Sequence, residues 1–171
     1  MASILNVDQI GHSTSGTAGL QISSSGRVIH PQRPVLSVRG MAGSTSLTAA
    51  DTNFDYVTSW TTTDVDVGGL LNAGGYAQVP TGFGGTYQVT WIVNGITSST
   101  FNSSVAFSYN GSSYTMLWEH FASNDYTNYT VGTTLFLTLN DGDRVYAGYD
   151  DRYGVPSSLD RDCNFSMMFV G

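Results

Sequence analysis

The sequence predicts an all-β fold, an antiparallel sandwich of about nine or ten short strands behind an extended N-terminal arm. Three observations carry this. Helix formers are scarce: the 171 residues contain no Lys and a single Glu, Glu119, against 21 Ser, 20 Thr and 20 Gly. Apolar residues alternate with polar ones over short runs, the period of a half-buried strand. Turn signals such as Asn94-Gly95 and Asn110-Gly111 punctuate those runs. No helical periodicity of useful length competes with them.

The first thirty residues differ from the rest. Residues 1–11 carry four spaced aliphatics, Ile4, Leu5, Val7 and Ile10. A small, polar stretch follows, then Leu20-Gln21-Ile22 and Arg27-Val28-Ile29-His30, ending at Pro31 and Pro34. The prolines fix φ and bias the residues before them toward extended backbone. Residues 1–33 are therefore read as an arm and 34–171 as the globular domain. An arm this thin needs a partner surface for its aliphatics, with Ile4, Leu5, Val7 and Ile10 as anchors.

From Val35 onward the strands follow in order. Residues 35–39 form the first, and 44–53 read as a Ser/Thr/Ala loop. Residues 54–60 and 65–67 follow, then 76–79 up to Pro80-Thr81-Gly82. Tyr87, Val89, Trp91 and Val93 alternate, as do Val105, Phe107 and Tyr109, and then Tyr114, Met116 and Trp118. Leu135, Leu137 and Leu139 run up to Asn140-Asp141-Gly142-Asp143, Val145, Ala147 and Tyr149 come next, and Cys163, Phe165, Met167 and Phe169 close the chain. Several strands are apolar on the second face too: Ile92, Phe136, Tyr146, Met168 and Val170 point away from the core set. A monomeric sandwich solvates its outer faces. These five residues therefore mark a buried subunit contact, or else aromatics that merely cover sheet surface.

The order of motifs resembles the complement globular-head domains, which belong with the tumour-necrosis-factor-like jelly rolls. Gly74-Gly75-Tyr76, Val79-Pro80-Thr81-Gly82 and Gly85-Thr86-Tyr87-Gln88-Val89 are similar to the central signature of that family. Phe54-Asp55-Tyr56-Val57, Ser108-Tyr109-Asn110-Gly111, Leu139-Asn140-Asp141-Gly142-Asp143-Arg144-Val145 and Asn164-Phe165-Ser166-Met167-Met168-Phe169 match flanking motifs in the expected order. The resemblance spans residues 34–171. It implies a ten-stranded jelly roll packed as a trimer through aromatic sheet faces. Met167-Met168 departs from the small residues usual there, and no Gly-X-Y collagen stretch precedes the domain. The start of the chain, with Asn6-Val7-Asp8-Gln9-Ile10, is similar to the starts of small bacteriophage virion proteins frequent in cyanobacterial phages.

Composition excludes several functions. A net charge of −7 with only six Arg disfavours nucleic acid, which calls for cations against phosphates. No apolar run approaches the length of a membrane span, and the N-terminus lacks a secretory-signal pattern. The single Cys163 excludes an internal disulfide. No catalytic constellation emerges: His12 and His30 lie in the arm, His120 reads as structural, and no Gly-x-Ser-x-Gly elbow occurs. Asp141 and Asp143 are weak Ca²⁺ candidates, without an EF-hand spacing; no other cofactor is expected.

The expectation is a non-enzymatic virion structural protein. It is a trimeric capsid decoration (cement) or short head-fibre protein, made in the bacterial host cytoplasm and displayed on the particle surface. Its partners are itself and capsid or other virion proteins, with no nucleic acid and no membrane. Thirty extended residues reach only about 100 Å, which favours a position close to the shell. Two rivals stand beside it. One is a tail-fibre tip reading host surface glycans through loops bearing Tyr126, Tyr129, Tyr149 and Tyr153. The other is a soluble lectin-like module.

Overall fold

A computed structural model describes residues 9–11, 18–22, 28–29, 33–46, 54–95, 101–109, 113–122, 129–150 and 163–171. The chain divides into two compact units, Met1–Arg33 and Pro34–Gly171.

The first unit is not one extended run. Strands β1 (Gln9–Gly11), β2 (Ala18–Ile22) and β3 (Val28–Ile29) pair in the order β1-β2-β3, all antiparallel. Backbone groups of the segment therefore pair with each other. Ile10 stands opposite Leu20, and Ile22 opposite Val28. Ile4, Leu5 and Val7 lie outside the described residues.

The second unit contains nine described strands: β4 (Val35–Ser46), β5 (Phe54–Val67), β6 (Ala77–Gln78), β7 (Gly85–Gly95), β8 (Phe101–Tyr109), β9 (Ser113–Ala122), β10 (Tyr129–Leu139), β11 (Arg144–Asp150) and β12 (Asn164–Phe169). They pair in the order β10-β7-β12-β4-β5-β11-β8-β9, with β6 on β11, and every pairing is antiparallel. The loop expected at 44–53 begins later than the sequence indicated. The Ser/Thr residues to Ser46 continue β4, and the two expected strands 54–60 and 65–67 are one, β5. Thr and Ser satisfy an edge ladder as well as a loop, so composition alone does not place that boundary.

The long β4–β5 hairpin bends this sheet. β4 pairs with β12 through Val35–Arg39, whereas β5 pairs with β11 through its opposite end, Phe54 to Tyr56. Register shifts at Ser37/Val38, Met41/Gly43 and Gly43/Ser44 supply bulges along the way. Gly40, at φ 69°, turns the strand there and donates its N–H to the Cys163 carbonyl at 2.9 Å.

The two halves, β10-β7-β12-β4 and β5-β11-β8-β9, therefore face each other and share one core. Leu36, Val38, Tyr87, Val89, Trp91, Val93, Phe165 and Met167 line it from the first half. Val57, Val145 and Ala147 line it from the second, with Ala77. Of the alternations read from the sequence, Tyr87/Val89/Trp91/Val93, Val145/Ala147 and Cys163/Phe165/Met167 are inward sets. Trp91 of β7 closes the layers: its indole N–H donates to the Gly148 carbonyl of β11 at 3.2 Å in a buried position. Trp60 of β5 meets Trp91 edge to face at 5.9 Å and stacks on Phe165 of β12, also at 5.9 Å. Cys163 is buried at the start of β12, a small apolar filler as its position indicated.

Two variants test this account. Trp91→Phe keeps an aromatic ring but removes the cross-layer donor; urea unfolding should show a loss of about 1–3 kcal/mol. Gly75 lies at φ 83°, and a Cβ there would fall 2.4–2.6 Å from backbone atoms of Val57 and Thr58. Gly75→Ala should cost at least about 2 kcal/mol, read by the same measurement.

Candidate functional site

The outer face of the β10-β7-β12-β4 half gathers most of the second-face apolar residues. Strand register fixes who stands beside whom. One row runs Phe136, Gln88, Met168, Val35, Val67 across β10, β7, β12, β4 and β5. The next runs Thr134, Thr90, Ser166, Ser37, Val65, and the third runs Gly132, Ile92, Asn164, Arg39, Thr62. Val170 continues β12 past the first row, its N–H bonded to the Thr86 carbonyl at 2.8 Å.

Phe136 is 66% exposed, far above what an isolated core-type ring tolerates without a reason. Met168, Val170, Val65 and Val67 are exposed with it. Ile92 is half-buried, at the edge of a shallow depression of about 310 Å³ that opens beside Gly132. The rows carry one charge, Arg39, and Asp64 neutralises it at 3.0 Å. The sequence reading placed Ile92, Phe136, Met168 and Val170 on second faces; the fold brings all four onto one face. Val65 and Val67 were missed. They read as a short separate strand, and only the β4–β5 register carries them to this surface.

Tyr146 does not join them. It points away from the core, but it belongs to the other half of the sandwich and is only 3% exposed. Tyr56 packs edge-on against it at 4.9 Å and Tyr76 lies at 4.8 Å. Arg144 covers Tyr76 at 5.1 Å from the ring centroid. This intrachain cluster occupies the Tyr146 ring, so it offers no free contact surface. Burial, with the neighbouring Tyr146 and Tyr76, raises the Tyr56 phenol above its ordinary pKa.

The ligand loops are also redrawn. Tyr129 and Tyr149 stand in strands β10 and β11, paired with Gly95 and with Asp55 and Ser103. Tyr126 and Tyr153 lie outside the described residues, as do His12 and His30. His120 is in β9 opposite Ser103.

The acidic turn has a structural occupation. Asp141 accepts the Gly82 N–H and the Gly84 N–H, each at 2.7 Å, one on each carboxylate oxygen. These two bonds hold its carboxyl below the usual carboxylate range. Asp143 is fully buried; its Oδ2 accepts the Asn140 N–H at 2.7 Å, and its Oδ1 has no hydrogen-bond partner among the described residues. Ca²⁺ calls for six to eight oxygens. Asp141 spends both of its oxygens on the 82–84 loop, and the described residues contain no group of three acidic, His or Cys side chains that would hold a metal. The pair does not fit a Ca²⁺ cage. Nearby, the buried Tyr87 phenol donates to the Phe83 carbonyl at 2.8 Å. Burial, and then the Asp141 charge, pushes its pKa up to about 12.

Comparison with family models gives no match, and comparison with characterised protein sequences gives none either. Solved structures do match in fold. Murine APRIL at pH 5.0 superposes with a TM-score of 0.61 at 18% identity, over 81% of this chain and 99% of that one. The globular domain of zebrafish complement 1qA protein superposes with a TM-score of 0.57 at 14% identity, over 81% of this chain and 98% of that one. The chain thus has the all-β jelly-roll fold of these proteins.

The Asp141 turn makes a pH prediction. A carboxylate whose folded pKa is depressed stabilises the fold above its unfolded value, about 3.9, and loses that contribution as pH falls through the folded value. Asp141→Asn should therefore melt below the wild type at pH 7. The gap should close as pH falls through the depressed folded value, below the unfolded one, followed by thermal melts across a pH series.

Proposed function

We propose that this chain is a non-enzymatic structural protein that works as a homotrimer on a phage particle. Its jelly roll decorates the capsid or forms a short head fibre, and residues 1–33 anchor it there. The observation that carries this reading is the outer face of β10-β7-β12-β4. Two copies of a chain with net charge −7 repel each other. Across the three described rows of that face the one cation, Arg39, is paired with Asp64, so a second copy meets apolar and neutral polar groups there. Each exposed aliphatic or aromatic covered contributes roughly 1.5–3 kcal/mol before ordering costs. The complement-head resemblance implies three-fold packing through aromatic sheet faces, and Phe136 supplies the aromatic. The first unit supports anchoring through its composition, since it carries spaced aliphatics on too short a segment for a core of its own.

Sedimentation of purified protein tests the face. Wild type should run as a trimer, and Phe136→Asp and Met168→Asp should each run as folded monomers. Trimers with unchanged melting in both variants would overturn the assignment. Raising salt from 0.05 to 0.5 M, order-of-magnitude steps in screening, should leave the trimer as tight or tighter, because salt weakens repulsion and spares apolar contact. Deleting residues 2–11 tests the anchor: trimers should persist while co-sedimentation with particles is lost. Retained particle binding would sink it.

A further inference from the structure

A second surface feature shares no lining residue with the three rows of the Phe136 face. β5 and the loop leading to β6 enclose a cleft of about 200 Å³, lined by Thr58, Ser59, Trp60, Thr63, Asn72 and Ala73 among others. We propose that this cleft binds one neutral pyranose ring of an uncharged glycan. The proposal does not rest on the self-association reading.

The aromatic member is held rigidly. Trp60 donates its indole N–H to the Gly75 carbonyl at 2.7 Å, and its ring stacks on Phe165 with planes 12° apart. Part of its surface remains exposed and lines the cleft. A fixed indole with a free flank is an apolar platform for the C–H face of a sugar. It keeps its orientation whether or not a ligand is present, so little entropy is lost on binding.

The opposite wall is pre-organised as well. The Asn72 side-chain oxygen accepts the Gly74 N–H at 3.0 Å, its amide donates to Gln78 at 3.3 Å, and its backbone bonds with Gly75 and Tyr76 at 2.9 Å each. Gly75 presses on the β5 backbone so closely that no side chain fits there. The loop therefore cannot collapse onto Trp60 and fill the cleft.

The polar groups that remain are neutral. The hydroxyls of Thr58, Ser59 and Thr63 make no hydrogen bond among the described residues. Three free hydroxyls beside an indole match a ligand that presents alternating C–H and O–H groups. The lining contains no cation, and the nearby Asp64 is acidic and held by Arg39 at 3.0 Å. A carboxylated or sulfated sugar would find no cation in the lining to balance its charge, and Arg39 beside it is already paired with Asp64. The volume is below the roughly 300–1,000 Å³ of drug-sized sites, which suits one ring rather than an oligosaccharide.

The test uses the full chain and indole fluorescence, with methyl glycosides of glucose, galactose, mannose and N-acetylglucosamine, and with glucuronate as the charged control. At least one neutral glycoside should give a saturable change at millimolar concentration, and glucuronate none. Ala73→Arg and Thr63→Arg fill the cleft from exposed positions. Each should weaken the response at least about tenfold with melting unchanged. The Phe136→Asp variant should bind the glycoside as the wild type does, which separates this site from the association face. No saturable response to any neutral glycoside would overturn the proposal, as would full binding by both cleft-filling variants. Equal binding of glucuronate would overturn the neutral assignment.

Discussion

The contact on which the rest depends is Trp91 at the middle of β7. Its ring fills the space between two halves of one continuous sheet, and its N–H reaches the Gly148 carbonyl on the far layer. A single sheet of this order has no reason to fold back unless something joins its distant strands. Trp91 does so with area and a directed bond together. Trp60 and Phe165 complete the same cluster from β5 and β12, so β5 is tied to the neighbouring pair β7 and β12 at one point. Everything outside the core inherits its placement from this closure.

Closure sorts the surface into unlike faces. On the β10-β7-β12-β4 side, register lines up Phe136, Met168 and Val67 with neutral neighbours and one compensated charge. On the opposite half, Tyr56, Tyr76 and Arg144 close over Tyr146 within the chain. Among the described side chains, Phe136 and Met168 on the first half are uncovered and Tyr146 on the second is covered. Two described acids are engaged in turns, with Asp141 stitched to the 82–84 loop and Asp66 accepting the Leu70 N–H at 2.9 Å.

Period-two patterning made the second-face residues legible one strand at a time. Ile92, Phe136 and Met168 were visible because each interrupts a polar face in its own strand. Tyr146 carries the same local signal and a different fate. Its coverage by Tyr56 and Tyr76 comes from elements ninety and seventy residues away, and alternation carries no information at that range. Val65 and Val67 failed in the other direction: their signal was too short to attach them to any surface until β4 paired with them. The first segment shows the same limit, since its aliphatic spacing fits an extended arm and a three-strand meander equally well.

By itself, then, the sequence determined an antiparallel β-protein, the inward set Tyr87, Val89, Trp91, Phe165 and Met167, and the turn at Asp141-Gly142. Those follow from local rules: side-chain period, the positive φ that glycine permits, and the burial of large apolar groups. The tertiary structure decided which outward residues share a face, which are already covered, and that a cleft exists beside Trp60. Those outcomes depend on strand order and register, which long-range pairing sets and no single strand encodes.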